Sequence, residues 1–150
     1  MRERLHLHQP LEAAEAQIDR AIQLFLDDKD YYCAITLAGA AEHPLAKIAK
    51  RLLTAKGYKH ALDTDSSAIA SIAVARGDLP GPHDEAKKLI RGELNSPRDW
   101  LKHKDEPMSF DAAREAADMI DRAVRNYWAA TGSLTEQMVR FHRHQRNDFD

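Results

Sequence analysis

Apolar residues recur every three to four positions along almost the whole chain, the spacing that gathers them on one side of an α-helix. Alternating two-residue patterns and Asn-Gly or Asp-Gly hairpin signals are missing, so no strand is expected. The first stripe is Leu11, Ala14, Ile18, Ala21, Ile22 and Phe25. It starts behind Pro10, which suits a first helical turn because the N–H that proline lacks has no intrahelical partner there. A polar DDKD stretch then turns the chain into a second helix, from about Asp30 to Lys56, with Gly57 as its stop. Tyr31, Ile35, Ala38, Leu45, Ala49 and Leu52 mark its buried face, and Pro44 should kink it by crowding the carbonyl of Ala40.

A third helix is expected from about Ser66 to Arg76, capped by Asp65 or a neighbouring serine and ended by Gly77. GDLPGP is a loop within one bundle, too short to link two domains. A fourth helix fills roughly His83 to Leu94, and Ser96-Pro97 reads as a fresh N-cap with proline at the first helical position. On this reading the segment NSPRDWLKH, residues 95–103, opens a helix. Ser109 begins the next, with Phe110, Ala113, Ala117, Ile120, Val124 and Tyr127 on one face and Gly132 beyond its end; Ser133 and Glu136 form a capping box for a last short helix. The expected fold is all-α: an up-and-down helical bundle of about five to six helices, one domain over residues 1–150, frayed at about 1–9 and 146–150.

Composition narrows the function. Charged residues make up 31% and hydrophobic ones 43%, the balance of a soluble globular protein. A formal charge of −2 argues against a general, charge-driven nucleic-acid binder, so any anion site must be local. No apolar run approaches the length of about 18 residues needed to span a membrane, and MRERLHLHQP lacks the apolar core of a signal peptide. The single cysteine, Cys33, cannot form an internal disulfide and sits among apolar residues; a packing role in a reducing compartment follows, and the expected location is cytoplasmic.

The chemistry concentrates in NSPRDWLKH. A helix start presents unpaired N–H groups and the positive end of the helix dipole, which favour an anion. Arg98 adds a planar fork of donors matched to phosphate oxygens. Between Lys87 and Lys104 six cationic residues stand against two acids, Glu93 and Asp99, an arrangement that also describes a solvated helix face. His103 can exchange a proton near neutral pH, and Asp99, four residues earlier, shares its face and could orient the ring. Arg98 and His103, five residues apart, lie roughly 140° from each other around a regular helix. They meet only if the arginine bends round, the helix is irregular, or a second chain completes the site across a two-fold axis.

Arg98-Asp99-x-x-x-His103 resembles the R-x(4–6)-H motif of the HEPN superfamily, whose pattern often carries a polar residue directly after the arginine. That resemblance implies a small helical bundle acting as a homodimer that binds RNA or a nucleotide, and in many members a metal-independent endoribonuclease. It implies further that His103 handles the ribose 2′-OH proton while Arg98 holds the scissile phosphate, leaving a 2′,3′-cyclic phosphate. Other members are non-catalytic modules that bind nucleotides or a partner, including a nucleotidyltransferase-type partner protein in toxin–antitoxin pairs. AGAAE at 38–42 and NYWAATGSLT at 126–135 resemble segments of small bacterial proteins as well.

Around the motif, Asn95, Lys102 and Trp100 are candidate substrate contacts, although Trp100, like Tyr127, could equally serve packing. Glu42 places a carboxylate on or near the apolar stripe of the second helix. It is either a site residue facing Arg98 or His103, or a structural ion pair or an edge of the stripe that reaches water. His43, Lys47, Lys50 and Arg51 are read as facing solvent. His6-x-His8 and His142-x-His144 do not put both rings on one helix face, and without a cysteine pair or an H-E-x-x-H run no metal or other cofactor is expected.

Overall fold

The computed structural model describes residues 7–147, and every element among them is helical. Helix α1 spans Pro10–Gln23 and continues into a π-helical turn, Leu24–Asp28, that closes on Lys29 in the left-handed conformation. Helix α2, Tyr31–Leu53, starts where the Asp30 carboxylate accepts a hydrogen bond from the Cys33 N–H at 3.1 Å, and a short 3₁₀ turn, Thr54–Lys56, ends on Gly57. Helices α3 (Ala61–Arg76) and α4 (His83–His103) form an antiparallel hairpin with Gly77 at the turn. Helix α5 covers Ala112–Thr131 and α6 covers Glu136–Asn147.

The buried apolar cluster is supplied by α1, α2, α5 and α6. Ile18 and Ile22 meet Ile35 and Leu45, Ile120 and Val124, and Met138 and Phe141. The α3–α4 hairpin packs on the outside of this core, α4 against α2 and α3 against α5. Its only buried apolar contributions from α4 are Ala86 and Pro97. An all-α bundle is therefore what the chain builds, as its periodicity predicts.

Several boundaries differ from the expected ones. Helix α3 begins at Ala61 rather than near Ser66, because the unusual N-cap His60 and Asn126 on another helix satisfy its first N–H groups. The Nδ1 atom of His60 accepts from Asp63 at 3.3 Å, and Oδ1 of the buried Asn126 accepts from Ala61 at 3.0 Å. Asp111, not Ser109, caps α5, and Thr135, not Ser133, caps α6 through its hydroxyl. Arg146 and Asn147 are still helical, and the expected fraying at 1–6 and 148–150 lies outside the described residues. Leu52 is 63% exposed, off the buried face, and Cys33 is exposed on the first turn of α2, so it has no packing role.

The largest correction concerns NSPRDWLKH, which does not open a helix. Helix α4 runs unbroken through Pro97. A proline inside a helix costs about 3 kcal/mol in lost hydrogen bonding and steric crowding. Here the ring is buried against the bundle, the carbonyl left without its helical donor belongs to Glu93, an exposed residue, and the neighbouring Leu94 carbonyl accepts from Nη2 of Arg122 on α5 at 3.4 Å. Ser96 is consequently no cap; its hydroxyl reaches only the Met108 sulfur, at 3.8 Å. Ser96→Ala is expected to leave stability within about 0.5 kcal/mol of wild type, and a thermal melt showing a loss of about 1 kcal/mol or more, the worth of an N-cap, would return a helix start to this position.

Candidate functional site

The continuity of α4 decides where the site lies. Arg91, Asn95 and Arg98 are spaced i, i+4 and i+7, so on an unbroken helix they stand in one row. The row faces α2 and the start of α3 across a cavity of about 360 Å³. Helix α2 contributes Glu42, His43, Ala46, Lys47 and Lys50, and the N-terminal end of α3 adds His60 and Leu62. His43, Lys47 and Lys50 are exposed, as the sequence suggests, yet all three border this cavity.

Below the cavity floor lies a buried ionic cluster. Glu42, 3% exposed, stands 3.6 Å from Nη1 of Arg98 and 3.5 Å from Nε of Arg122, which is itself 3% exposed. Arg122 also reaches the Leu94 carbonyl, Oδ1 of Asn95 at 3.5 Å and the Met119 sulfur, so it ties α5 to both α2 and α4. Glu42 is thus a buried ion-pair residue rather than a stripe edge reaching water, and one of its partners is Arg98. Asp99 also pairs with Arg98, so two guanidinium groups meet two carboxylates and the cluster is formally neutral.

Arg98 reaches Glu42 because Gly39 has no side chain. A Cβ at position 39 would stand 2.6 Å from Cδ of Arg98 and 3.0 Å from Cγ, so the arginine stem lies across the bare backbone of α2. The AGAAE stretch thus supplies a seat for the stem in Gly39 and an anchor for the head in Glu42. Asp99 engages Arg98 as well, its Oδ1 accepting from Nε at 3.2 Å and from Nη2 at 3.1 Å. That carboxylate is accordingly turned to Arg98 rather than to the imidazole of His103.

His103 is the last residue of α4, exposed, and not part of the cavity wall. Within one chain the expected Arg98–His103 pair is therefore not assembled. Lys102 is likewise exposed away from the cavity, whereas Asn95 lines it. Trp100 stacks edge-on against Phe110 with centroids 5.7 Å apart, and its indole N–H donates to the Glu106 carbonyl, fastening the loop after α4.

His60, Arg91, Lys47 and Lys50 carry much of the cavity's character and do not emerge as site residues from sequence reasoning. Among the described residues Arg91, Lys47 and Lys50 make no ion pair. Nη2 of Arg91 lies 3.2 Å from Nε2 of His60. Burial, and then the neighbouring Arg91 charge, hold the His60 pKa below its ordinary value, favouring the neutral ring. A neutral imidazole has one accepting nitrogen, and Nδ1 already accepts from Asp63. Donors therefore approach both ring nitrogens, the Asp63 N–H at Nδ1 and Arg91 at Nε2, and a neutral ring can accept from one of them.

The chain's acids gather elsewhere. Asp65, Glu115, Asp118 and Asp121 border a separate cavity beside Arg122. Burial, reinforced by neighbouring carboxylates, raises the pKa values of Glu115 and Asp118. This segregation reconciles a slightly negative chain with a locally positive site. Among the described residues no group of three His, Cys, Asp or Glu side chains is placed to hold a metal ion. No family model matches the chain, and no curated protein or solved structure matches it.

Proposed function

We propose that the cavity between α2, the start of α3 and α4 binds the phosphate of a nucleotide or of RNA. One observation carries the reading: Lys47, Lys50 and Arg91 line a concave site without an acidic partner among the described residues, while the one acid present, Glu42, is neutralised by two arginines. Unpaired cations converging on a cavity raise the local concentration of anions, and Arg98, held by Glu42 and Asp99, adds a guanidinium to the cavity wall. The volume falls at the lower end of the roughly 300–1,000 Å³ typical of ligand pockets. No Phe, Tyr or Trp lines the cavity, so this reading rests on the phosphate rather than on stacking of the base.

RNA cleavage in the HEPN manner needs an imidazole beside the phosphate held by Arg98. His103 lies roughly 140° round α4 from Arg98, so in this reading a second copy of the chain supplies it in a homodimer. Binding is the primary activity and hydrolysis depends on assembly. Titrating wild type and His103→Ala with a short single-stranded RNA, and following the RNA on a gel, tests both halves. Affinity is expected to be unchanged by the substitution, and any cleavage present in the wild type should fall by about 10²–10⁴-fold, the scale of general acid–base catalysis. Wild-type protein that binds neither RNA nor mononucleotides would remove the proposal.

A second reading, a partner-binding module, is favoured by a different observation. Ile69 and Ile72 on α3 and Leu89 on α4 are exposed on the outer hairpin. Apolar residues so placed suit a second copy of the chain or a partner protein, such as the nucleotidyltransferase type that the HEPN resemblance implies.

A further inference from the structure

Resting on the phosphate-binding reading, we propose that the cavity takes a terminal phosphate monoester, the phosphorylated end of an RNA or a nucleoside monophosphate, in preference to an internal phosphodiester. Two features of the site lead there. The first is charge. Lys47 and Lys50 from α2 and Arg91 from α4 bring three cations that no acid among the described residues neutralises. A diester places a single negative charge at one phosphorus, whereas a monoester near neutral pH carries about −1.5 to −2. The doubly charged end matches three unpaired cations where a single charge leaves two of them facing one another.

The second is the direction of the donors. They come from three sides, α2, the first turn of α3 and α4, and close on one concave space. A terminal phosphate offers three oxygens and one chain exit, so it can be surrounded. An internal diester has only two free oxygens and needs two exits for the strand. Nη2 of Arg91 and Nε2 of His60 stand 3.2 Å apart on the cavity wall, close enough to share one ligand oxygen. A monoester oxygen there accepts from Arg91 and, with the His60 proton on Nε2, from the ring as well.

Calorimetric titration of the full chain at fixed salt decides this, with unlabelled oligouridylates bearing a 5′-phosphate, a 3′-phosphate or no terminal phosphate, and inorganic phosphate as competitor. At least one end-phosphorylated form is expected to bind about tenfold or more tightly than the unphosphorylated strand, a difference of about 1.4 kcal/mol. Arg91→Gln and Lys50→Gln, both at exposed positions, should each narrow that gap, with circular dichroism melts showing that the variants fold. Equal affinity for all three strands would overturn the terminal-phosphate assignment while leaving the phosphate-binding reading in place. Binding of none would overturn both. Competition by inorganic phosphate at the same concentration as the oligonucleotide would assign the cavity to phosphate alone and overturn a nucleic-acid end as its ligand.

Discussion

Glu42→Ala is expected to lower the stability of the fold by about 3 kcal/mol, the lower end of the range for removing one partner of a buried ion pair. The lower end applies because the Arg122 Nε–H faces Glu42 at 3.5 Å by charge alone, without an aligned hydrogen bond. Alanine leaves the Arg122 guanidinium enclosed with only carbonyl, amide and thioether neighbours. The midpoint of thermal unfolding should therefore fall by roughly 6–12 °C, at about 2–4 °C per kcal/mol for a chain of this size. Glu42→Leu combined with Arg122→Met is expected to recover most of the loss, because neither charge is then buried. A single variant that melts within about 1 °C of wild type, well inside the range of neutral surface changes, would mean that Glu42 and Arg122 are not enclosed in the folded chain.

Arg98→Ala should weaken binding of a nucleotide or short RNA about 100-fold, or about 2.7 kcal/mol, the worth of one or two charge-assisted hydrogen bonds. Two effects add. The ligand loses a cation at the cavity wall, and Glu42 loses one of the two charges that neutralise it, so a carboxylate at the cavity floor begins to repel the phosphate. Arg98→Lys restores the charge but neither the fork nor the simultaneous reach to Glu42 and Asp99, so its affinity should stay well below wild type. Equal affinities of wild type and Arg98→Ala in a direct titration would place the ligand elsewhere.

Local chemistry made the helices and most of their ends readable in the sequence. Glycines in left-handed conformations stop the chain at 57, 77 and 132, where side chains would be strained. What escaped was set by contacts between distant residues. The start of α3 depends on Asn126, which lies on another helix and accepts from both Tyr58 and Ala61. The path of α4 through Pro97 goes with burial of the proline ring against the bundle, which is not visible from local propensity, and that propensity favours a break there. That one misplaced boundary hid the cavity: only on a continuous α4 do Arg91, Asn95 and Arg98 line up. Arg98 and Glu42 were legible as chemistry, but their meeting over Gly39 is a product of helix packing.

The bare backbone at Gly39 has a further consequence, for how this sequence can change. Within an exposed helix a glycine is ordinarily free to drift to alanine, a change that favours the helix by about 1 kcal/mol. Here the added methyl would strike the stem of Arg98, so a side chain at 39 must push that stem aside or wait for a shorter residue at 98. Either way the change at 39 is felt at the cavity, which loses or displaces its Arg98 guanidinium. Drift at an apparently silent helix position is thereby held in check by a residue on another helix.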